Sequence, residues 1–155
     1  MDFGCYGINL MTWLMDNQKP LTVSATTQQL KDDSDYTRVD DEATIVLTYP
    51  DAQTIIQGSW NWPFDRKDME LYGETGYIQT IDKNRMRRRF ARRNEIEEEL
   101  EPLATPERDP FPCLTAVVRD GFQPSGLWSL ENNLIVMEVL DAARESARTG
   151  QRIHL

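Results

Sequence analysis

Asp2 and Tyr6 stand four residues apart at the start of the chain, a spacing that sets two side chains one helical turn apart on a shared face. A phenol placed there can give and take a proton while the carboxylate orients it. Because a phenol ordinarily titrates near pH 10, transfer close to neutrality requires a neighbouring cation. The same spacing also describes a core tyrosine beside an acid that favours the positive end of a helix. Trp60 and Trp62 are two residues apart, so on a strand they share a face. There their rings would stack on the C–H surface of a sugar, or fill a core or a subunit interface.

Other charged and metal-ligating residues point to little chemistry. Arg85, Arg87, Arg88, Arg89, Arg92 and Arg93 form one basic cluster, but Glu95, Glu97, Glu98, Glu99 and Glu101 follow at once and turn it into a solvated, neutralised surface. With 26 acidic against 17 basic residues and a formal charge of −9, the chain is not expected to bind nucleic acid. Cys5, Cys113 and the single His154 are too few for a disulfide framework or an ordinary zinc site. Both thiols are expected to be buried and reduced, and His154 exposed or locally hydrogen bonded. The apolar run at Met11, Trp13, Leu14 and Met15 is bounded by Asp2 and Asp16, too short to cross a bilayer. No membrane partner is expected, and a cytoplasmic location is.

A chain of 155 residues, 39% of them apolar, predicts one globular domain with one sizeable core. Phe3, Tyr6, Leu10 and Leu14 fall at helical spacing before Pro20, predicting a helix over 3–17. The period then changes to two. Alternation predicts strands over 21–28, 43–49 and 53–62, the last pair joined by a turn at Pro50-Asp51. A second hairpin follows over 69–72 and 77–81, with a further strand over 85–90. Residues 94–108, charged and holding Pro102 and Pro106, read as a surface connection. A short helix over 109–121 and a long final one complete the chain. The final helix opens at Ser129, carries a stripe of Leu130, Leu134, Met137 and Leu140, and ends at Gly150. This order predicts an α+β fold: an open, mainly antiparallel sheet of five or six strands with helices on one face. A helix starting almost at residue 1 leads us to expect a preceding segment.

The run from Met1 to Met15 resembles the first helix of the second domain in the Gfo/Idh/MocA (glucose-fructose oxidoreductase and inositol dehydrogenase) family. There an Asp-x-x-x-His or Asp-x-Gly-x-Tyr pattern opens the helix. The resemblance continues through Val39–Ala43, Gly58-Ser59-Trp60-Asn61-Trp62, the Gly73–Gly76 turn and the ending Ala142–Gly150. It implies a dihydrodipicolinate-reductase-like C-terminal domain spanning residues 1–155, with Tyr6 as acid–base for a substrate hydroxyl and Asp2 as its companion. Gly7 and Asn9 stand where inositol-type members carry further acids; Asn9 is then expected to bind a sugar hydroxyl, with Trp60 and Trp62 as further substrate contacts. The resemblance also implies a homo-oligomer formed through the sheet face, a sugar-like small-molecule substrate, and NAD or NADP in the full-length protein. The family's N-terminal Rossmann domain, with its Glu-Lys-Pro motif, has no counterpart here, nor is there a Gly-x-Gly-x-x-Gly. No cofactor is therefore expected in this chain, which alone would be inactive. The alternative is a dimerisation module without catalysis.

Overall fold

The structure, a computed structural model, describes residues 4–31, 39–64 and 66–155. In chain order its elements are helix α1 (Gly4–Leu14) and strands β1 (Thr22–Gln28), β2 (Glu42–Thr48), β3 (Gln53–Ser59), β4 (Glu70–Gly73), β5 (Gly76–Thr80), β6 (Arg85–Phe90) and β7 (Ile96–Glu99). Helix α2 (Pro110–Asp120), a 3-10 turn (Gly126–Trp128), helix α3 (Leu130–Thr149) and the short strand β8 (Ile153–His154) follow. Each described strand pairing is antiparallel, so the class is α+β, as expected.

The strands do not join into one sheet of five or six. They form two sheets of four, ordered β3-β2-β1-β8 and β4-β5-β6-β7. The chain divides accordingly into two compact units, residues 1–61 with 123–155 and residues 62–122. Period-two patterning marks a strand and its faces but is silent on its lateral neighbour. Here Pro63, which has no amide proton for a ladder, lies in the non-strand stretch between β3 and β4.

In the first unit one sheet face is the core. Val23 and Ala25 of β1, Ile45 and Leu47 of β2 and Ile56 of β3 are buried with Ile8 and Met11 of α1 and Val136, Val139, Ala142 and Ala143 of α3. The small residues Ala142, Ala143 and Ser146 let α3 lie close to the sheet. The Ser146 hydroxyl accepts a hydrogen bond from the Ala25 amide at 2.9 Å and donates to the Gln151 carbonyl at 2.6 Å. It thus stands in for a strand partner where β8, which pairs only with Thr22 and Val23 of β1, has ended. Ser129 caps α3 by accepting from the Asn132 amide, and Gly150 closes it at φ 70°.

Helical spacing located both helices but not their buried faces. Leu130, Leu134 and Met137 are 75%, 61% and 54% exposed, so most of the apolar stripe of α3 points away from the core; of its four residues only Leu140 packs against it. On α1 the buried positions are Gly4, Ile8, Met11 and Thr12; of the helically spaced series Leu14 packs partly against the core, whereas Tyr6 is 65% exposed. The buried faces combine Ile8, Met11, Val136 and Val139 with small residues such as Gly4, Ala142 and Ala143, which permit close approach to the sheet.

The second unit is built differently. Among its described residues Cys113 alone is buried. Residues 94–108 are not simply a connection, because β7 pairs with β6 and sets glutamates opposite arginines. Arg85 lies 3.0 Å from Glu97, Arg88 2.6 Å from Glu98, and Arg87 3.8 Å from both Glu95 and Glu97. Opposite charges across strands favour pairing, which is why a charged segment forms a strand. Neither cysteine is in a disulfide; Cys113 is buried as expected, whereas Cys5 is only half-buried. No described helix is long and apolar enough to cross a membrane.

Candidate active site

Helix α1 is seated by a close approach. A Cβ on Gly7 would fall 2.5 Å from Ile56 Cγ2, so only glycine allows this turn to lie on β3. Ile8 and Met11 fill the core behind it, and Tyr6 points outward.

Asn9 fixes the helix sideways. Its amide nitrogen donates to the Leu127 carbonyl and to Asn133 Oδ1, both at 3.2 Å. Its own carbonyl accepts from Asn132 Nδ2 at 3.3 Å. Asn133 in turn donates to the carbonyls of Leu127 at 3.0 Å and Ser129 at 2.8 Å. Both Asn9 amide protons therefore tie α1 to the 3-10 turn and to the first turn of α3, leaving the side-chain carbonyl as the group it can offer a ligand. Asn132 and Asn133 went unnoticed in the sequence, where two adjacent asparagines early in a helix carry no periodic signal. Trp13, one further turn along, lies beside Gly126, whose Cβ would stand 3.2 Å from the indole nitrogen.

The remaining expected site residues are not gathered on this helix. Asp2 lies outside the described residues. β3 ends at Ser59, before Trp60 and Trp62, so strand alternation does not govern these two side chains. Trp60 belongs to the first unit and Trp62 to the second. The Trp60 backbone is held by Asp41 and by Lys31 Nζ at 2.8 Å, and Trp62 carries the Arg66 guanidinium 5.0 Å above its ring.

Three other tyrosines are poorly suited to proton transfer near neutral pH. Burial pushes the Tyr49 hydroxyl up to about 12. Hydrogen bonds to Glu70 and Glu95 raise Tyr72 and Tyr77, since each carboxylate favours the protonated phenol. Asp41 closes the β1–β2 connection: burial pushes its carboxyl up, but hydrogen bonds from the Leu30 and Lys31 amides and from Asn61 outweigh that and hold it below the usual range. Among the described residues no group of His, Cys, Asp or Glu could hold a metal ion. Nor do the antiparallel sheets supply the parallel strand–helix–strand unit that cradles a dinucleotide, so this chain's described residues do not fit NAD or NADP.

The family model for the GFO/IDH/MocA C-terminal domain matches residues 1–79, from the helix bearing Tyr6 into β5. The chain belongs to this family. No curated protein sequence matches it. Among solved structures, an aldose-aldose oxidoreductase from Caulobacter crescentus complexed with glycerol is 19% identical, with a TM-score of 0.77 over 98% of this chain and 46% of that one. GenD2 from gentamicin A biosynthesis, in complex with NAD, is 17% identical, with a TM-score of 0.62 over 99% and 47%. An oxidoreductase from Bacillus cereus is 13% identical, with a TM-score of 0.68 over 99% and 51%. At such identities the likeness establishes the fold. This Gfo/Idh/MocA domain spans about half the length of each of these structures.

Proposed function

We propose that this chain is the substrate-side half of an NAD(P)-dependent oxidoreductase acting on a sugar, polyol or related alcohol, with Tyr6 as its acid–base. The observation that carries this reading is the outward placement of Tyr6 on a helix seated by Gly7 and clamped by Asn9. A core tyrosine would have been turned the other way. The relatives add support, for one is an aldose-aldose oxidoreductase complexed with glycerol and another is complexed with NAD.

In this reading the nucleotide belongs to a Rossmann half that this chain does not contain. What this chain supplies is a phenol that takes the proton of a substrate hydroxyl, with Asp2 as its companion. Asn9 offers its carbonyl to a sugar hydroxyl, and Trp60 of the same unit is a candidate stacking surface. Tyr6 and Trp13 of α1 and Leu134 and Met137 of α3 are exposed and apolar or aromatic, which suits cover by another domain. Cys5 and Cys113, neither of them in a disulfide, are compatible with a reducing, cytoplasmic setting.

The test is to join the chain to its nucleotide-binding half and assay sugars and polyols with NAD and with NADP. Turnover of at least one such alcohol is expected. Failure with all of them would favour the second reading, an assembly module.

Oligomerisation is part of both readings. The outer face of the first sheet presents three uncharged rows: Thr22–Thr48–Gln53, Ser24–Val46–Ile55 and Thr26–Thr44–Gln57. We propose that a second copy packs there. Sedimentation should show a dimer at micromolar concentration that Ile55→Glu converts to monomer; a monomeric parent chain would contradict it.

A further inference from the structure

One face of the second sheet carries a cluster that the reading above does not use. Tyr72 is opposite Tyr77, and Tyr77 is opposite Arg89; one pleat along, Glu70 is opposite Gln79, and Gln79 is opposite Arg87. Residues two apart share a face, so the two rows lie side by side. The Tyr72 and Tyr77 ring centres are 6.0 Å apart with planes tilted by 40°, and Tyr72 is 75% exposed.

The rings are held in place. Tyr72 donates to Glu70 Oε2 at 2.7 Å, and Tyr77 donates to Glu95. Gln79 Nε2 donates to the other oxygen of Glu70 at 2.8 Å. An aromatic pair across strands stabilises a hairpin, and it would do so without a flanking set of pinned polar side chains.

The chemistry of the cluster selects a ligand class. Glu70 and Glu95 disfavour an anion, whereas Arg87 and Arg89 disfavour a cation. A neutral polyhydroxyl ligand can use both signs, donating to the carboxylates and accepting from the guanidiniums and the amide. Its C–H faces then lie on the rings. Two rings offer two stacking positions, which suits linked sugars better than one.

We propose that the Tyr72–Tyr77 face of the second unit is a carbohydrate-binding surface for a neutral oligosaccharide. It lies in residues 62–122, whereas Tyr6 lies in the other unit, and it does not depend on Tyr6 being catalytic.

The test uses the 155-residue chain with maltohexaose and cellohexaose as probes, read by saturation-transfer NMR and titration calorimetry. At least one hexasaccharide should bind, with saturation on its ring C–H protons. Tyr72→Ala should weaken binding by about tenfold or more. Tyr72→Trp should retain binding, and it keeps the test readable should alanine loosen the hairpin. Tyr6→Phe should leave binding unchanged. The proposal is overturned if neither probe binds, if Tyr72→Ala binds like the parent, or if Tyr6→Phe abolishes binding, which would place the sugar on α1 instead.

Discussion

The two sheets of this chain have the same strand number and the same antiparallel pairing, yet they are held together by different physics. The first buries Val23, Ile45, Leu47 and Ile56 beneath two helices, and its outer rows are uncharged except for Glu42 in the end row Gln28–Glu42–Ser59. The second has cross-strand arginine–glutamate pairs and only partly buried apolar residues such as Leu71, Ile78 and Met86. A side chain that must hold a fixed position for proton transfer is better placed on the first kind of unit. A shallow recognition face needs only the second.

Core truncation should separate the two most strongly. Ile45 is fully buried, and Ile45→Ala should lose about 2–5 kcal/mol of stability. Ile78 is half-buried, and Ile78→Ala should lose well under half as much. Urea unfolding checks the difference, and equal losses would break the contrast. Next in size is an acid effect at Asp41 of the first unit. The carboxyl of Asp41 is held below its unfolded value, so its stabilising contribution is present above about pH 4 and disappears as the pH falls through its folded pKa. Asp41→Asn should flatten the acid limb of a pH–stability curve, and an unchanged limb would refute this role. Smallest is the salt effect. Arg88–Glu98 and Arg85–Glu97 are largely solvent-accessible, and each exposed pair is worth about 0–1 kcal/mol. Molar salt should therefore speed amide exchange in β6 and β7 while leaving β1–β3 nearly unchanged.

The same contrast explains what could be read from residues alone. β2 was legible because Ala43, Ile45, Leu47 and Tyr49 alternate against a single covered face. The termini of α3 were legible because Ser129 and Gly150 are local signals. The rotation of α1 and α3 was not, since it depends on which side chains let helix and sheet approach, as Gly7 against Ile56 shows. β7 was hidden because its glutamates mark a strand only when paired with the arginines of β6. Tyr6 stood out through its spacing and resemblance, but its outward direction, and the Asn9, Asn132 and Asn133 clamp, exist only once α3 has returned beside α1.

The central claim is that the proton-transfer chemistry resides on the helix of the buried-core unit and not on the tyrosines of the charged sheet. It is tested most directly by the turnover of two variants, Tyr6→Phe and Tyr72→Phe, each made in the protein that joins this chain to its nucleotide-binding half. Each substitution removes one hydroxyl and keeps the ring. Tyr6→Phe should lower kcat by about a hundredfold to ten-thousandfold and flatten its pH dependence, with cofactor affinity close to that of the parent. Tyr72→Phe should stay within about twofold of the parent, since its hydroxyl only tethers a surface ring. Near-normal turnover of the Tyr6→Phe enzyme on its best substrate would contradict the account and return Tyr6 to a packing or interface role.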